Sequence, residues 1–271
     1  MPASAVTLYA WGLPAFFTGA PIDHTWVTSY DNRITPYRNN AEVVDAGEDY
    51  WWCWGSFHPE GGTPINPDGF LGSIAADLMV ARCLVESNAD SRHVVPARGT
   101  IMFYGIDGAC HQVANQVLYA STGAPLLVSL ARGYHLSSAL YGDYGLETAA
   151  WYAKIASCTG TPASAQGFPI MDTFEQRARS VLTGPDDLPV LKELFNLREE
   201  AQRNLAAMRA RAAAGNAPPA EQINAINQKY FDRAAALLGA HRYEQIFGAP
   251  PGQVTLVDPN IRDERGRPVS R

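Results

Sequence analysis

The chain has 271 residues, enough for one large domain or for a domain with a sizeable appendage. Hydrophobic residues make up 46% and charged residues 18%, which supplies a packed core and excludes global disorder. The formal net charge is −6, and no basic stripe or interleaved basic–aromatic segment exists, so nucleic acid is not an expected partner.

The N-terminal stretch MPASAVTLYAWGLPAFF has no basic n-region and is broken by Pro14, so it does not read as a secretory signal. No apolar run approaches the roughly 20 residues that a membrane span requires. A soluble chain made in the cytoplasm is therefore expected, and export by a signal-independent machine would leave the same pattern. Cys53, Cys83, Cys110 and Cys158 are scattered and form no CxxC pair, which points to reduced thiols rather than a zinc or redox spacing.

Residues 6–11 (VTLYAW) favour a strand, and residues 24–30 (HTWVTSY), β-branched and aromatic, form the next. Residues 50–57 (YWWCWGSF) read as a third strand ended by His58-Pro59, and EGGTPINPDG reads as a loop. Alternation would put Trp52 and Trp54 on one face and Trp51 on the other. Leu71, Ile74, Ala75, Leu78, Met79 and Val85 recur at helical spacing over residues 70–86. The short apolar run 99–104 feeds a turn from Gly105 to Gly108 and then a helix carrying Ala109, Val113, Ala114, Val117 and Leu118. That helix stops near Gly123, with Asp107 as its expected N-cap.

Composition changes near residue 165: all six tryptophans precede it, and Ala, Arg, Glu, Gln and Leu dominate after it. Two helices are expected at 187–213 and 220–239, packed as an antiparallel hairpin, the first opened by Asp186 and Pro189. The hairpin, with Arg198, Arg203, Arg209 and Arg211, reads as a solvated support or, alternatively, an arm for a protein partner. The tail after Pro250 has few apolar anchors and is expected to be extended or mobile.

Chemistry concentrates in the segment Tyr104 to Asn115, YGIDGACHQVAN. Cys110 lies in the first turn of the predicted helix, where free N–H groups and the helix dipole favour a thiolate and can stabilise an oxyanion. A buried packing cysteine is the bland reading of this segment by itself. His24 opens a strand, preceded by Asp23, and His58 ends another. If those strands pair antiparallel, the two histidines become neighbours, a base and the group that orients it. Adjacent helical residues point about 100° apart, so His111 is set aside as a base for Cys110. Tyr104 could donate to an oxyanion or serve as a core aromatic, and His93 and His241 read as surface residues.

HTWVTSY, GSFHP and DGACHQVAN resemble the histidine strand, third-residue strand and nucleophile helix of the papain-like NlpC/P60 superfamily. The order His, His, Cys resembles its circularly permuted branch, which includes lecithin:retinol acyltransferase-like proteins. The resemblance covers roughly residues 6–125. It implies an α+β fold with a papain-like domain at 1–165, followed by a helical region at 166–271. It further implies Cys110 as nucleophile, His24 as general base and acid, and His58 as orienting group, with Asp45 the substitute for the third position.

The reaction implied is attack on an amide of a peptide, peptidoglycan or isopeptide substrate, with no metal or organic cofactor, as in a bacterial effector delivered into a competitor. The acyltransferase-type Asn-Cys-Glu signature is replaced by Ala109-Cys110-His111, which favours a hydrolase. Transfer to an acceptor other than water stays open. So does a non-enzymatic protein in which Cys110, His24 and His58 bind zinc. A non-permuted assignment would instead pair Cys110 with His135.

Overall fold

The computed structural model describes residues 6–15, 22–28, 31, 51–52, 62–65, 74–76, 103–122, 124–150, 153 and 172–258. These form a mixed α+β structure. Strands β1 (Val6–Pro14), β2 (Asp23–Thr28), β3 (Trp51–Trp52) and β4 (Thr63–Ile65) lie in the order β3-β2-β1-β4, and β5 (Ile74–Ala76) also pairs with β1. Every pairing is antiparallel.

The register sets Trp11 opposite Trp26 and Leu13 opposite His24. Trp11 and Trp26 are fully buried, and the Trp11 indole donates to Thr28 Oγ1 at 2.7 Å, so this apolar pair holds β1 on β2 with the Trp11 N–H satisfied. The expected antiparallel pairing of the histidine strand with the tryptophan strand is present, with Val27 opposite Trp52.

Two expectations fail here: within EGGTPINPDG, read as a loop, Thr63–Ile65 is a strand paired with Ala10–Gly12. Within the segment 70–86, read as a helix from its apolar spacing, Ile74–Ala76 is a strand paired with Val6–Leu8. The first residues of β1 need backbone partners, and a short apolar run satisfies strand and helix templates alike, so sheet pairing decides.

The helices described in full are α1 (Cys110–Thr122), α2 (Tyr134–Tyr141), α3 (Thr173–Val181), α4 (Asp187–Ala213) and α5 (Ala220–Phe247). The α4–α5 hairpin is the one expected. Arg211 reaches Gln222 near the connection, and further along Glu200 meets both Lys229 and Arg233, so the helices run antiparallel. Gly239, with φ 71° and ψ 162°, breaks α5 where the sequence pattern ends. The helix resumes to Phe247 and is closed by Gly248 in the left-handed region.

The hairpin is not a solvated support. Leu191, Leu194, Leu205, Ile223, Phe231 and Ala234 share one buried cluster with Ile22, Ile106, Ala109 and the α2 residues Leu136, Ala139 and Leu140. Two arginines read as solvated are engaged. Arg198 binds Asp172 and the carbonyls of Ala139 and Ser138, and Arg209 binds the buried Asp107 and also Glu147. Burying apolar surface around such arginines requires that their charges be matched. Arg203 is exposed, as expected.

Of the tail after Pro250, residues 251–258 are described, and against the expectation of few apolar anchors they are held to the core. Val254, Leu256 and Val257 are buried, and Asn224 bonds both the N–H and the C=O of Val257. Val257 packs onto Gly105, whose φ of 76° suits only glycine and whose missing Cβ would overlap the Val257 side chain. Gly105→Ala is therefore expected to cost about 2–4 kcal/mol from backbone strain and overpacking together, measured as a shift in the urea midpoint. An unchanged midpoint would contradict this packing. Among the described residues no helix is long and apolar enough to cross a membrane.

Candidate functional site

Cys110 is the first residue of α1 and is buried, packed where α1 meets the start of β2. Its sulfur lies 3.8 Å from the main-chain carbonyl of Asp23, the residue before His24. The turn leading into α1 is pinned by Asp107, which accepts from the Phe103 N–H at 3.1 Å and pairs with Arg209. Asp107 thus does not cap the helix, as its position in the sequence suggested, because α4 claims its carboxylate. The cap is supplied from inside α1: the Gln112 side chain accepts from the Ala109 N–H at 3.1 Å, one half of a capping box.

The helix-start environment of Cys110 is the expected one, but the outcome is reversed. Burial raises the thiol above its ordinary value; the Thr25 N–H and hydroxyl, then the amides of His111 and Cys110, pull the other way without overcoming it. The sequence weighed the amides and the dipole and could not weigh desolvation, which here is the larger effect. At neutral pH Cys110 rests as a thiol.

His24 is half-buried and stacks on Trp26 with ring centroids 5.8 Å apart. Thr25 faces the sulfur. Strand alternation therefore sets the side chains of Thr25 and His24 on opposite faces of β2. His24 is nonetheless near enough to His111 for their charges to oppose each other.

His111 is fully buried. The Ser137 hydroxyl donates to the Tyr134 carbonyl at 2.9 Å, so its oxygen accepts from His111 Nδ1 at 2.8 Å and from Gln112 Nε2 at 3.3 Å. This pattern assigns His111 the Nδ1–H tautomer. Its Nε2 lone pair is buried with no hydrogen-bond partner among the described residues. Burial, opposed by Asp23, lowers the His111 pKa to about 4.

The rest of the CHQVANQ run is a locking device. Gln112 Nε2 donates to the Gly142 carbonyl at 3.0 Å. Asn115 donates to Tyr134 Oη at 3.1 Å and to the Asp143 carbonyl at 2.6 Å, and it accepts from the Val128 N–H at 2.8 Å. Gln116 reaches the Tyr144 carbonyl at 2.6 Å. Asp143, raised by burial, takes the Tyr134 hydroxyl and both donors of Thr173. The polar face of α1 is thus buried and fastened to residues 128–145.

Asp23 is held in turn by Arg132. Its Oδ1 accepts from Arg132 Nε at 2.8 Å and Nη2 at 2.6 Å, its Oδ2 from the Arg132 N–H at 3.0 Å, and its own N–H donates to the Arg132 carbonyl at 2.9 Å. Sequence reasoning passed over Arg132, Ser137 and Thr25.

His135, the partner in the non-permuted assignment, contacts Arg177 Nη1 at 3.1 Å and packs near Gly248, on the side facing α3 and the end of α5. Tyr104 packs on the core and pairs with Gly108 through its backbone. His241 is exposed on α5, as expected. His58, Asp45, His93, Trp54, Cys53, Cys83 and Cys158 lie outside the described residues. Among the described residues no group of three His, Cys, Asp or Glu side chains is placed to hold a metal ion. Comparison with protein families, with curated proteins and with solved structures finds no match to this chain.

Proposed function

We propose that this chain is a cysteine hydrolase of circularly permuted papain-like type. Cys110 attacks a peptide, peptidoglycan or isopeptide amide, His24 serves as general base and acid, and His58 orients His24. The observation that carries this reading is the seating of Cys110, the first residue of α1, on the start of the strand that bears His24, with its sulfur at the Asp23 carbonyl. For the reaction, the His24 imidazole turns about its side chain from the face of β2 opposite Thr25 to the sulfur and takes the thiol proton as the S–C bond forms. The proton then leaves with the amine as the C–N bond breaks, and water hydrolyses the thioester.

Because burial keeps Cys110 protonated at rest, attack and proton removal occur together, and the base matters more than in an enzyme with a preformed thiolate. His111 is a poor candidate for that base. With a pKa of about 4, it takes a proton too weakly for work near pH 7. His24 is only half-buried, whereas His111 is fully buried.

Iodoacetamide labelling read by peptide mapping tests the assignment. At pH 7, His24→Ala is expected to slow Cys110 labelling by about tenfold or more, within the range general-base removal gives, while His111→Gln changes it by less than about threefold. Labelling of Cys110 that ignores His24→Ala would mean the cysteine is a packing residue. A hydrolytic activity that survives Cys110→Ala would remove it from the mechanism.

A further inference from the structure

The turn before α2 presents two features that the proposed chemistry does not use. Leu130 is 70% exposed, the most exposed large apolar side chain among the described residues. Arg132, two residues on, has its side chain 48% exposed; Nε and Nη2 are committed to Asp23, and Nη1 has no hydrogen-bond partner among the described residues.

The turn is rigid where it meets β2. Asp23 and Arg132 exchange main-chain and side-chain bonds, and the Ile22 side chain packs so closely on Gly133, itself at a φ of 75°, that a Cβ there would overlap it. Asp23 is also the residue whose carbonyl receives the Cys110 sulfur, so a single residue separates the guanidinium from the thiol. On the other side of Asp23, the buried His111 imidazole lies beside the Asp23 main chain and carries an Nε2 with no hydrogen-bond partner among the described residues.

We propose that Arg132 and Leu130 are specificity-determining residues that select acyl donors carrying a carboxylate, flanked by an apolar group, close to the scissile carbonyl. Guanidinium geometry suits this role. With one edge fixed on Asp23, the remaining Nη1 donors are preorganised and bind a second carboxylate with little loss of side-chain freedom. Leu130 supplies apolar contact area beside that charge. The inference rests on Cys110 being the reactive thiol.

Iodoacetate and iodoacetamide test it, since they alkylate the same sulfur with the same loss of iodide and differ in a carboxylate against an amide. Relative to glutathione under the same conditions, the iodoacetate-to-iodoacetamide rate ratio at Cys110 is expected to be raised by about five- to tenfold, the size of a charge-assisted contact. It should fall to the glutathione value in Arg132→Gln and stay partly raised in Arg132→Lys.

Because Arg132→Gln also loosens Asp23, a second measurement uses the unaltered protein. N-acetylleucine should protect Cys110 from iodoacetamide, and N-acetylleucinamide should not. A ratio equal to that of glutathione, or equal protection by the two leucine derivatives, overturns the role of Arg132 and leaves the hydrolase reading standing. Failure of Cys110 to react with either reagent overturns both.

Discussion

A chain ending after Leu182 is expected to lose its fold outright, giving the spectra of an unfolded or molten chain. Composition suggests a separable helical hairpin, because charged and small residues dominate it. Its buried face instead closes the same core as the turn ahead of Cys110: Leu194, Leu205, Phe231 and Phe247 sit in one cluster with Ile106, Ala109 and Leu136. Removing that face exposes the apolar surface of α2 and α3 and leaves Asp107 buried without Arg209. It also removes Asn227 from the Tyr141 hydroxyl, which donates to the Gly105 carbonyl.

A domain of this kind is stable by only about 5–15 kcal/mol, and each lost core side chain is worth about 2–5 kcal/mol, so the deficit exceeds the whole. Near-UV circular dichroism and a urea titration check this. A truncated chain with a cooperative transition and a native aromatic signal would show that residues 1–182 fold independently. A milder version is Arg209→Ala, expected to cost about 2–3 kcal/mol, less than a fully buried pair because part of the Arg209 side chain stays in water.

How much of this was legible in the sequence follows from the range of the interactions involved. The hairpin was, because its apolar residues recur at a helical period over two long segments and AGNAPP breaks them. So were the β1 and β2 strands and the start of α1, all set by local pattern. The strand at Ile74–Ala76 was not, because what decides it is the backbone need of Val6–Leu8, far away in sequence. Helices α2 and α3 were not singled out, and short helices such as these are held mainly by what they pack against.

At the candidate site, Cys110 was legible from its Gly-rich approach and helix start, but its titration was not, since desolvation depends on the tertiary surroundings. One sequence signal did point to that burial. From Gly108 to Ala131 the chain carries no Asp, Glu, Lys or Arg, although α1 has both an apolar and a polar face. A helix with no charged residue is buried all round. Its His, Gln and Asn side chains then have to find partners inside, as Gln112, Asn115 and Gln116 do.

Lowering the pH from 7 to 4 is expected to remove about 3 kcal/mol of stability through His111, one of the largest single-residue effects in the molecule. The group is buried neutral, and its pKa falls from the ordinary histidine value of 6.5 to about 4 in the folded chain. Between those values the unfolded chain binds the proton and the native one does not, so stability is full above about 6.5 and drains as the pH falls towards 4. A shift of this size corresponds to about 3 kcal/mol at 1.36 kcal/mol per pH unit. Asp107 and Asp143, raised by burial, act in the opposite sense and partly mask the loss in the whole protein.

The measurement is therefore a difference. Urea unfolding free energies for the wild-type chain and His111→Gln, taken across pH 4–7, should diverge, with the wild type falling by about 3 kcal/mol more than the variant. The variant starts lower at pH 7, because glutamine fills the site less well and loses the bond from Nδ1 to Ser137. The two curves then approach or cross as the imidazole becomes a liability. Parallel curves would mean that His111 takes up its proton in the folded chain, through water or a partner at Nε2. In that case it would regain the basicity that a role in proton transfer to or from Cys110 demands.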